Sequence, residues 1–496
     1  MMTYRIVWLA VLAFVWSGTA VAQDTIRDSV VKIHSQQRIP DFVRPWMKSN
    51  PRDISGSGAI IEGKRILTNA HVVLYASRVL VQPAQSTERI PATVEAIAPG
   101  MDLAILKLND EAIFDQRPPL PLDDELPKIK NTVNTYGYPE GGDQLSVTEG
   151  IISRVEYVSY AESETGMRIQ VDAPVNRGNS GGPAIANGKI VGLVFSMIPS
   201  ANNIGYLIPA DEIRMFLDDV ADGTYRGKPK LFDDMQTVEN KALRDRLGLD
   251  ANTGGLMITR PVCPDESYPL KEWDVITHIG DQAIDNQGNI SVGNELHLSF
   301  RYLIPKLVKD GQIDLTIWRS GQSMAVQVPV KYSRELLIPH LSGSYPSYFI
   351  CGPLVFTPAS QELVAGLRGQ AQASALLGMR QNPLLSRWFD RVSFPDEQLV
   401  VLGPQSIPSP LLEGYDNQIF AVVTHVDDVE IKNLAHLVET VRKAAGKFIT
   451  FKLGGAYETM VFDRQELLDA TQEILEDESI RFQASDDLLK IWESGE

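Results

Sequence analysis

Three residues of this chain could together carry out nucleophilic acyl transfer, and they occur in the order His71, Asp102, Ser180. Only His34 and His71 precede residue 180, which narrows the choice of a catalytic imidazole. His71 ends the stretch Gly56-Ser-Gly-Ala-Ile-Ile-Glu-Gly-Lys-Arg-Ile-Leu-Thr-Asn-Ala-His71, a glycine-bounded hairpin whose second strand delivers the ring to a sheet end. Asp102 opens Asp-Leu-Ala-Ile-Leu-Lys-Leu108, directly ahead of a mostly apolar strand. A carboxylate buried there needs a donor. An imidazole Nδ1–H would supply it, fixing the tautomer and leaving Nε2 free to take a proton. Ser180 lies in Asn176-Arg-Gly-Asn-Ser180-Gly-Gly-Pro183. Its hydroxyl is a useful nucleophile only when a base removes the proton. The flanking glycines permit backbone conformations in which the N–H groups of Gly178 and Ser180 converge on an oxyanion. Each residue singly reads as a core histidine, a turn aspartate or a loop serine; the ordered set is far more specific.

The elements that must position these residues are mostly strands. From Ile26 to about Tyr206 short apolar runs alternate with Gly, Pro and Asn, among them Ala59-Ile61, Arg65-Thr68, Val79-Gln82, Leu103-Leu108, Ile169-Val171 and Ile190-Phe195. That spacing predicts a closed or sandwiched all-β domain. Ile213, Phe216, Leu217 and Val220 then share one helical face behind a cap at Asp211, and the Gly- and Lys-rich stretch 223–230 reads as a linker.

Beyond the linker the chain repeats itself. Val275-Ile-Thr-His-Ile-Gly-Asp-Gln-Ala-Ile284 aligns without gaps with Val422-Val-Thr-His-Val-Asp-Asp-Val-Glu-Ile431, and each copy reads as a strand and a turn. In both, an apolar helical stretch follows (Leu303-Lys309, Leu434-Ala445), then a glycine, an alternating strand and a tight turn at Ser320-Gly321 or Gly454-Gly455. Two related domains are expected. The repeated His278 and His425 are equivalent strand residues, and no metal site is expected.

Length and composition agree. A chain of 496 residues exceeds what one core organises. With 44% hydrophobic and 22% charged residues it is neither disordered nor a multispanning membrane protein. A net charge of −17 with no basic run argues against a nucleic-acid partner. Cys263 and Cys351 are too few for a disulfide framework. Arg5, the apolar run Ile6-Trp16 and the small-residue stretch ending Ala20-Val21-Ala22 form a secretory signal, with maturation at Gln23. That run is short against the roughly 20 residues a spanning helix needs, so no stable membrane span is expected.

The motifs Thr68-Asn-Ala-His71, Asp102-Leu-Ala-Ile-Leu and Asn176-Arg-Gly-Asn-Ser180-Gly-Gly resemble those of the HtrA/DegP serine proteases. Tyr136-Gly-Tyr-Pro139, Ser146-Val-Thr-Glu-Gly-Ile151, Asn203-Ile-Gly-Tyr-Leu-Ile-Pro209, Leu337-Ile-Pro-His-Leu-Ser-Gly343, Pro346-Ser-Tyr-Phe349 and Asp396-Glu-Gln-Leu-Val-Val401 resemble the plant-type Deg branch in particular. The resemblance implies a mainly β protein: a trypsin-like double β-barrel protease domain followed by two PDZ-like α+β domains. The boundaries are then 1–22 for the signal, 23–228 for the protease, and 229–335 and 336–496 for the PDZ-like domains. It further implies a periplasmic or secreted ATP-independent endopeptidase of protein quality control, without cofactor, assembled as a homotrimer or hexamer. Its partners would be unfolded polypeptides or protein C-termini, as substrates or activators.

By the same resemblance Pro174 is the floor of the P1 pocket, and Phe195, Ser196 and Met197 form the strand edge that pairs with substrate. Gly254, Gly255, Leu256 and Met257 resemble the carboxylate-binding loop of a PDZ domain. In the second repeat Pro353 stands where an N–H donor would be useful, so that domain reads as an assembly module. The competing class is a peptide-binding chaperone or scaffold with a silent barrel.

Overall fold

The structure, a computed structural model, describes residues 25–160, 162, 164–197, 205–263, 265–293, 296–403, 407–415, 420–454 and 458–494. The expected signal and its cleavage point lie outside these residues. Two compact units form, one built on Arg52–Arg334 with the stretch ending at Gln37, the other on Arg38–Pro51 with Glu335–Glu496.

In the first unit, β1 (Val30–Gln37), β2 (Arg52–Ile61), β3 (Arg65–Thr68), β4 (Ala76–Gln82), β5 (Ile90–Ala98) and β6 (Leu103–Leu108) close a barrel in the order β1-β2-β3-β6-β5-β4. A second barrel is closed by β7 (Thr132–Gly137), β8 (Ser146–Ser159), β9 (Thr165–Val171), β10 (Pro183–Ala186), β11 (Lys189–Met197) and β12 (Gly205–Pro209), and it repeats the same strand order. The period-two pattern explains how the barrels meet. On β6, Ala104 and Leu106 fill the first barrel with Ile33, Ile60, Ile66 and Val81. Leu103 and Ile105 face the other way and join Leu193, Ile208 and Phe216 of the second half. A strand buried on both faces must be apolar throughout, which is why this run reads as continuous rather than alternating.

The helix that closes the barrels spans Ala210–Asp219, with Ile213 and Phe216 fully buried. Its N-cap is Pro209 rather than the expected Asp211. Asp211 lies in the first turn and accepts from Tyr302 (3.2 Å) and Lys306 (2.6 Å). The expected linker is also not a solvated tether. Lys228 is buried and donates to Glu212 at 2.8 Å and to the Thr165 carbonyl, while Lys230 reaches Glu164 at 2.6 Å. Burial pulls the Lys228 ammonium down, but Glu212 and Glu164 outweigh it and hold its pKa above the ordinary value.

One apolar cluster continues from Ile152, Val155 and Met167 of the second barrel into a further sheet of the same unit. That sheet orders β13 (Asp234–Thr237), β14 (Leu256–Arg260), β15 (Val275–Ile279), β19 (Gln312–Arg319) and β20 (Gln322–Pro329), with β16 (Gln282–Ala283) beside β15. The polar stretch after it forms a separate hairpin, β17 (Asn289–Val292) and β18 (Leu296–Ser299). The β19–β20 turn puts Ser320 and Gly321 at positive φ, 49° and 83°, as a two-residue hairpin requires. The helix expected over Leu303-Lys309 is shorter. Pro305 is tolerated only in a first turn, so the run divides into a 3₁₀ turn, Phe300–Leu303, and one α-turn, Ile304–Leu307.

In the second unit the sheet runs β21 (Phe349–Cys351), β22 (Leu354–Pro358), β23 (Val400–Leu402), β24 (Val422–Val426), β26 (Phe448–Gly454) and β27 (Thr459–Asp463), with β25 (Val429–Glu430) beside β24. The helix Leu434–Lys443 covers it through Leu437, Val438 and Val441, capped by Asn433. The repeat holds at atomic level. Thr277 donates to the Thr316 carbonyl and Thr424 to the Lys452 carbonyl, both at 3.1 Å, each beside a register shift and each touched by the next histidine's Nδ1. The loop Arg38–Pro51, expected inside the protease domain, belongs to this unit: Phe42 packs on the Leu337 cluster and Trp46 lies 6.1 Å from Tyr348. Neither cysteine is paired; Cys263 is exposed, and burial pushes the Cys351 thiol up to about 12.

Replacing Glu212 by alanine should cost on the order of 3–5 kcal/mol, because it leaves a buried ammonium without its nearest carboxylate. Urea unfolding followed by fluorescence measures this, and an unchanged midpoint would contradict it. A Glu212→Leu/Lys228→Met double variant should recover most of the loss.

Candidate active site

His71 sits one residue into a single helical turn, Ala70–Val73, that leaves β3 at the seam of the two barrels. The side chain of Gln37 donates to the carbonyls of His71 (2.7 Å) and Val72 (3.1 Å), pinning that turn to β1. Asp102 stands at φ 58° just before β6. Its Oδ1 accepts the His71 backbone N–H at 2.8 Å and its Oδ2 accepts from Nδ1 at 2.7 Å. Asn69 donates to the Asp102 carbonyl at 2.9 Å and completes the bracket. The Asp102 side chain is 9% exposed and the His71 side chain 47%, so the carboxylate is shielded while the imidazole reaches solvent. A ring oriented in this way can take up a proton at Nε2.

Ser180 is set by a loop that tolerates no extra carbon. Gly178 lies at φ +93° and a Cβ there would stand 2.4 Å from the Tyr138 carbonyl; Gly181 lies at φ +85° and its Cβ would stand 2.2 Å from the Ser57 carbonyl. Ser57, fully buried on β2, ties this loop to the first barrel. Its N–H donates to the Ser180 carbonyl, its hydroxyl donates to the Gly178 carbonyl, and that hydroxyl accepts the Tyr138 N–H, each at 2.8 Å. Sequence reading passed over Ser57, whose one signal was its place between Gly56 and Gly58. Among the described residues neither the Gly178 nor the Ser180 N–H donates to a protein acceptor. The Ser180 hydroxyl donates to the Phe195 carbonyl at 3.3 Å rather than to His71. The Asp–His half of the constellation is hydrogen-bonded, and the His–Ser half is open.

Residues 56–193 match the trypsin-like peptidase domain, and residues 338–487 match the PDZ domain. Protease Do-like 2, chloroplastic, from Arabidopsis thaliana is 32% identical over 468 residues, covering 93% of this chain and 76% of its own. Protease Do-like 4, mitochondrial, from the same plant is 33% identical over 426 residues, covering 85% of this chain and 78% of its own. The chain belongs to the Deg/HtrA family of serine proteases. A solved HtrA-type protease, AlgW with tripeptide, is similar with a TM-score of 0.49 at 21% identity, covering 63% of this chain and 96% of that one. This Deg/HtrA chain is a serine endopeptidase whose peptidase fold is the pair of closed barrels.

The remaining expected site residues of the protease are gathered unevenly. Phe195 lies at a register shift on β11, next to Ser196 and Met197. Beyond Leu193, β10 no longer pairs with β11, so among the described residues no strand pairs with 195–197 on that side, and the Phe195 carbonyl there accepts the Ser180 hydroxyl. The Phe195 ring lies 4.4 Å from the Arg168 guanidinium, which also sits 3.3 Å over Tyr160. Burial lowers the Arg168 pKa, and two of its N–H-bearing nitrogens lack a partner among the described residues. Pro174 does not form an enclosed floor: it is exposed, its carbonyl accepts from Thr148 at 3.1 Å, and the buried neighbour is Val175, against Gly205.

The carboxylate-loop reading of Gly254–Met257 fails on strand pairing. The Gly255 N–H is given to the Asp285 carbonyl at 3.0 Å, and Leu256 and Met257 are paired with Thr237 and Gln236 on one side and Ile276 and Val275 on the other. An interior strand has no edge to offer, so the open edge on that side of the sheet is β13. In the second unit Gly352 and Pro353 are the turn of a hairpin, with the Gly352 N–H given to Thr471 at 2.7 Å. The outer edge of β21 is covered by the chain's own Gln483 and Ala484.

A Ser57→Ala variant should fold yet hydrolyse casein about tenfold to 100-fold more slowly, since a displaced loop misplaces the nucleophile. Gly181→Ala should lose activity outright. Initial rates beside thermal melts separate these effects, and full activity in either variant would contradict the positioning role of this contact.

Proposed function

We propose that this protease is an ATP-independent endopeptidase acting on unfolded or damaged polypeptides, with Ser180 as nucleophile, His71 as general base and then acid, and Asp102 as its orienter. The observation that carries the reading is the two-point hold of Asp102 on His71 beside a glycine loop braced by Ser57. Turning the Ser180 hydroxyl from the Phe195 carbonyl toward Nε2 lets the ring take its proton as the oxygen attacks the scissile carbonyl. The Gly178 and Ser180 N–H groups receive the oxyanion, a contribution typically on the order of 10²–10³ in rate per donor. His71 returns the proton to the leaving amine, the amine departs, and water repeats the sequence on the acyl-enzyme.

The absence of a strand partner for 195–197 on the β10 side, among the described residues, suits an extended chain and not a folded domain once the Ser180 hydroxyl has turned from the Phe195 carbonyl, which favours unfolded substrates. The apolar side chains of Val175 and Phe195 favour small or aliphatic P1 residues, and the Arg168 guanidinium against the Phe195 ring disfavours a cationic one. PDZ domains recognise peptides, so protein C-termini are the proposed activators or secondary ligands. A homotrimer or hexamer, and export to the periplasm or outside the cell after cleavage near Ala22, complete the proposal. A second reading, a chaperone or scaffold of low proteolytic activity, is favoured by the open His–Ser half of the site.

Ser180→Ala should abolish casein hydrolysis without lowering the melting temperature, and the wild type should be labelled by a fluorophosphonate. Retained hydrolysis would sink the nucleophile assignment, and an inert wild type would leave the scaffold. Matched peptides with Val or Arg at P1 should differ about tenfold or more in kcat/KM in favour of Val; an Arg preference would overturn the pocket reading.

A further inference from the structure

The outer face of the first barrel carries a groove of about 450 Å³ that the chemistry above leaves unused. Register defines its floor. On three adjacent strands His34 stands opposite Ser55 and Leu80, and Gln36 stands opposite Asp53 and Arg78, all on one face. Arg89, at the entry to β5, and Glu140, in the loop after β7, complete the lining.

This groove adjoins the leaving-group side of the site. Its strand β1 continues into Gln37, which holds the His71 carbonyl, and its strand β2 continues into Ser57, which holds the Ser180 carbonyl. The Glu140 N–H donates to the Arg177 carbonyl, next to Gly178. His71 must deliver its proton to the departing amine, so the polypeptide C-terminal to the cut leaves past the strands that touch His71.

The charges in the groove are not balanced by pairing. Arg78 and Arg89 are exposed, and their side chains make no ion pair or hydrogen bond among the described residues. Asp53 is engaged by Gln36 at 3.2 Å, and Lys32 is engaged by Asp143 and the Gly142 carbonyl, both at 2.7 Å. Burial holds the His34 pKa below its ordinary value; Arg89 and Lys32 add to this, while the Gln82 hydrogen bond and Asp143 oppose it. The formal charges lining the groove are thus the guanidiniums of Arg78 and Arg89 and the carboxylates of Asp53 and Glu140; Asp53 already accepts from Gln36, while neither guanidinium is in an ion pair among the described residues.

We propose that this groove docks an acidic stretch of the polypeptide substrate lying C-terminal to the cleaved bond, its carboxylates pairing with Arg78 and Arg89. The inference rests on the proteolytic reading of Ser180. An exposed ion pair is weak singly. Once the scissile segment is held, however, docking is intramolecular and a modest contact counts. On a chain of net charge −17 such a contact acts at short range only.

Two quenched-fluorescence peptides, identical through the cleaved bond and the next two residues and then continuing as Asp-Glu-Asp-Glu or as four serines, test it. The wild type should favour the acidic peptide about threefold to tenfold in kcat/KM, through KM, at low salt. The ratio should fall to about one in an Arg78→Ser/Arg89→Ser variant and at high salt. A wild-type ratio near one, or a ratio that survives in the double variant, overturns the proposal. Fluorescence anisotropy of the labelled peptides on the Ser180→Ala protein, with and without the two arginine changes, gives a readout independent of hydrolysis. If neither peptide is cleaved by the wild type, the proteolytic reading fails while equal binding of the two peptides, or stronger acidic binding lost with the arginines, still decides the groove.

Discussion

Asp102 keeps its carboxylate almost wholly out of water, and both of its oxygens are given to one residue, His71. An unpaired charge in that place would be strongly destabilising, so the need to satisfy it fixes the imidazole in tautomer and direction. The burial follows from β6, which is apolar on both faces because one face fills the first barrel and the other meets the second half of the fold. A residue placed at the start of such a strand is carried to the barrel seam. The Asp102–His71 pair is thus a consequence of how two barrels of equal strand order are pressed together.

Ser57 carries the same constraint to the Ser180 loop. One buried serine uses its N–H, both capacities of its hydroxyl and its carbonyl, the last accepting from Thr68 at 2.8 Å, to join β2, β3 and the Ser180 loop. Backbone of the first barrel comes so close here that Gly181 admits no side chain, and Gly178 is shut in by the stretch Tyr138-Pro139-Glu140 after β7. The first barrel therefore contributes His71, Asp102 and also the brace under Ser180. That the Ser180 hydroxyl is given to the Phe195 carbonyl rather than to His71 leaves this frame intact.

The two repeats show one supersecondary pattern put to different ends. Each keeps the threonine that bonds across a register shift and the histidine after it. In the first unit the sheet shares its core with the second barrel, and its interior strand β14 is closed to ligands on both edges. In the second unit the chain covers its own edge at β21, and the helix Arg464–Asp477 packs Leu467, Thr471 and Ile474 inward. An edge strand occupied by its own chain is protected from unwanted pairing, which suits a structural module.

Much of this was legible in the sequence. The strands Arg65–Thr68 and Leu103–Leu108 were bounded correctly because period and punctuation are local properties, and the repeat was visible because a duplicated backbone pattern needs duplicated residue types. The order of His71, Asp102 and Ser180 pointed to acyl transfer because few alternatives exist for those types in that context. What depends on chain segments distant in sequence was not legible. Whether the Gly254 loop leads to an edge or an interior strand depends on β13 and β15 together. Whether Lys228 is a linker residue or a buried cation depends on Glu212 and Glu164. The brace at Ser57 and the gathering of Arg78 and Arg89 on one face arise only when strands far apart in the chain become neighbours. Residue type and local spacing determined the chemistry and the elements of this protease. Only the tertiary structure decided which polar groups are paired and which remain open, because pairing is set by neighbours in space.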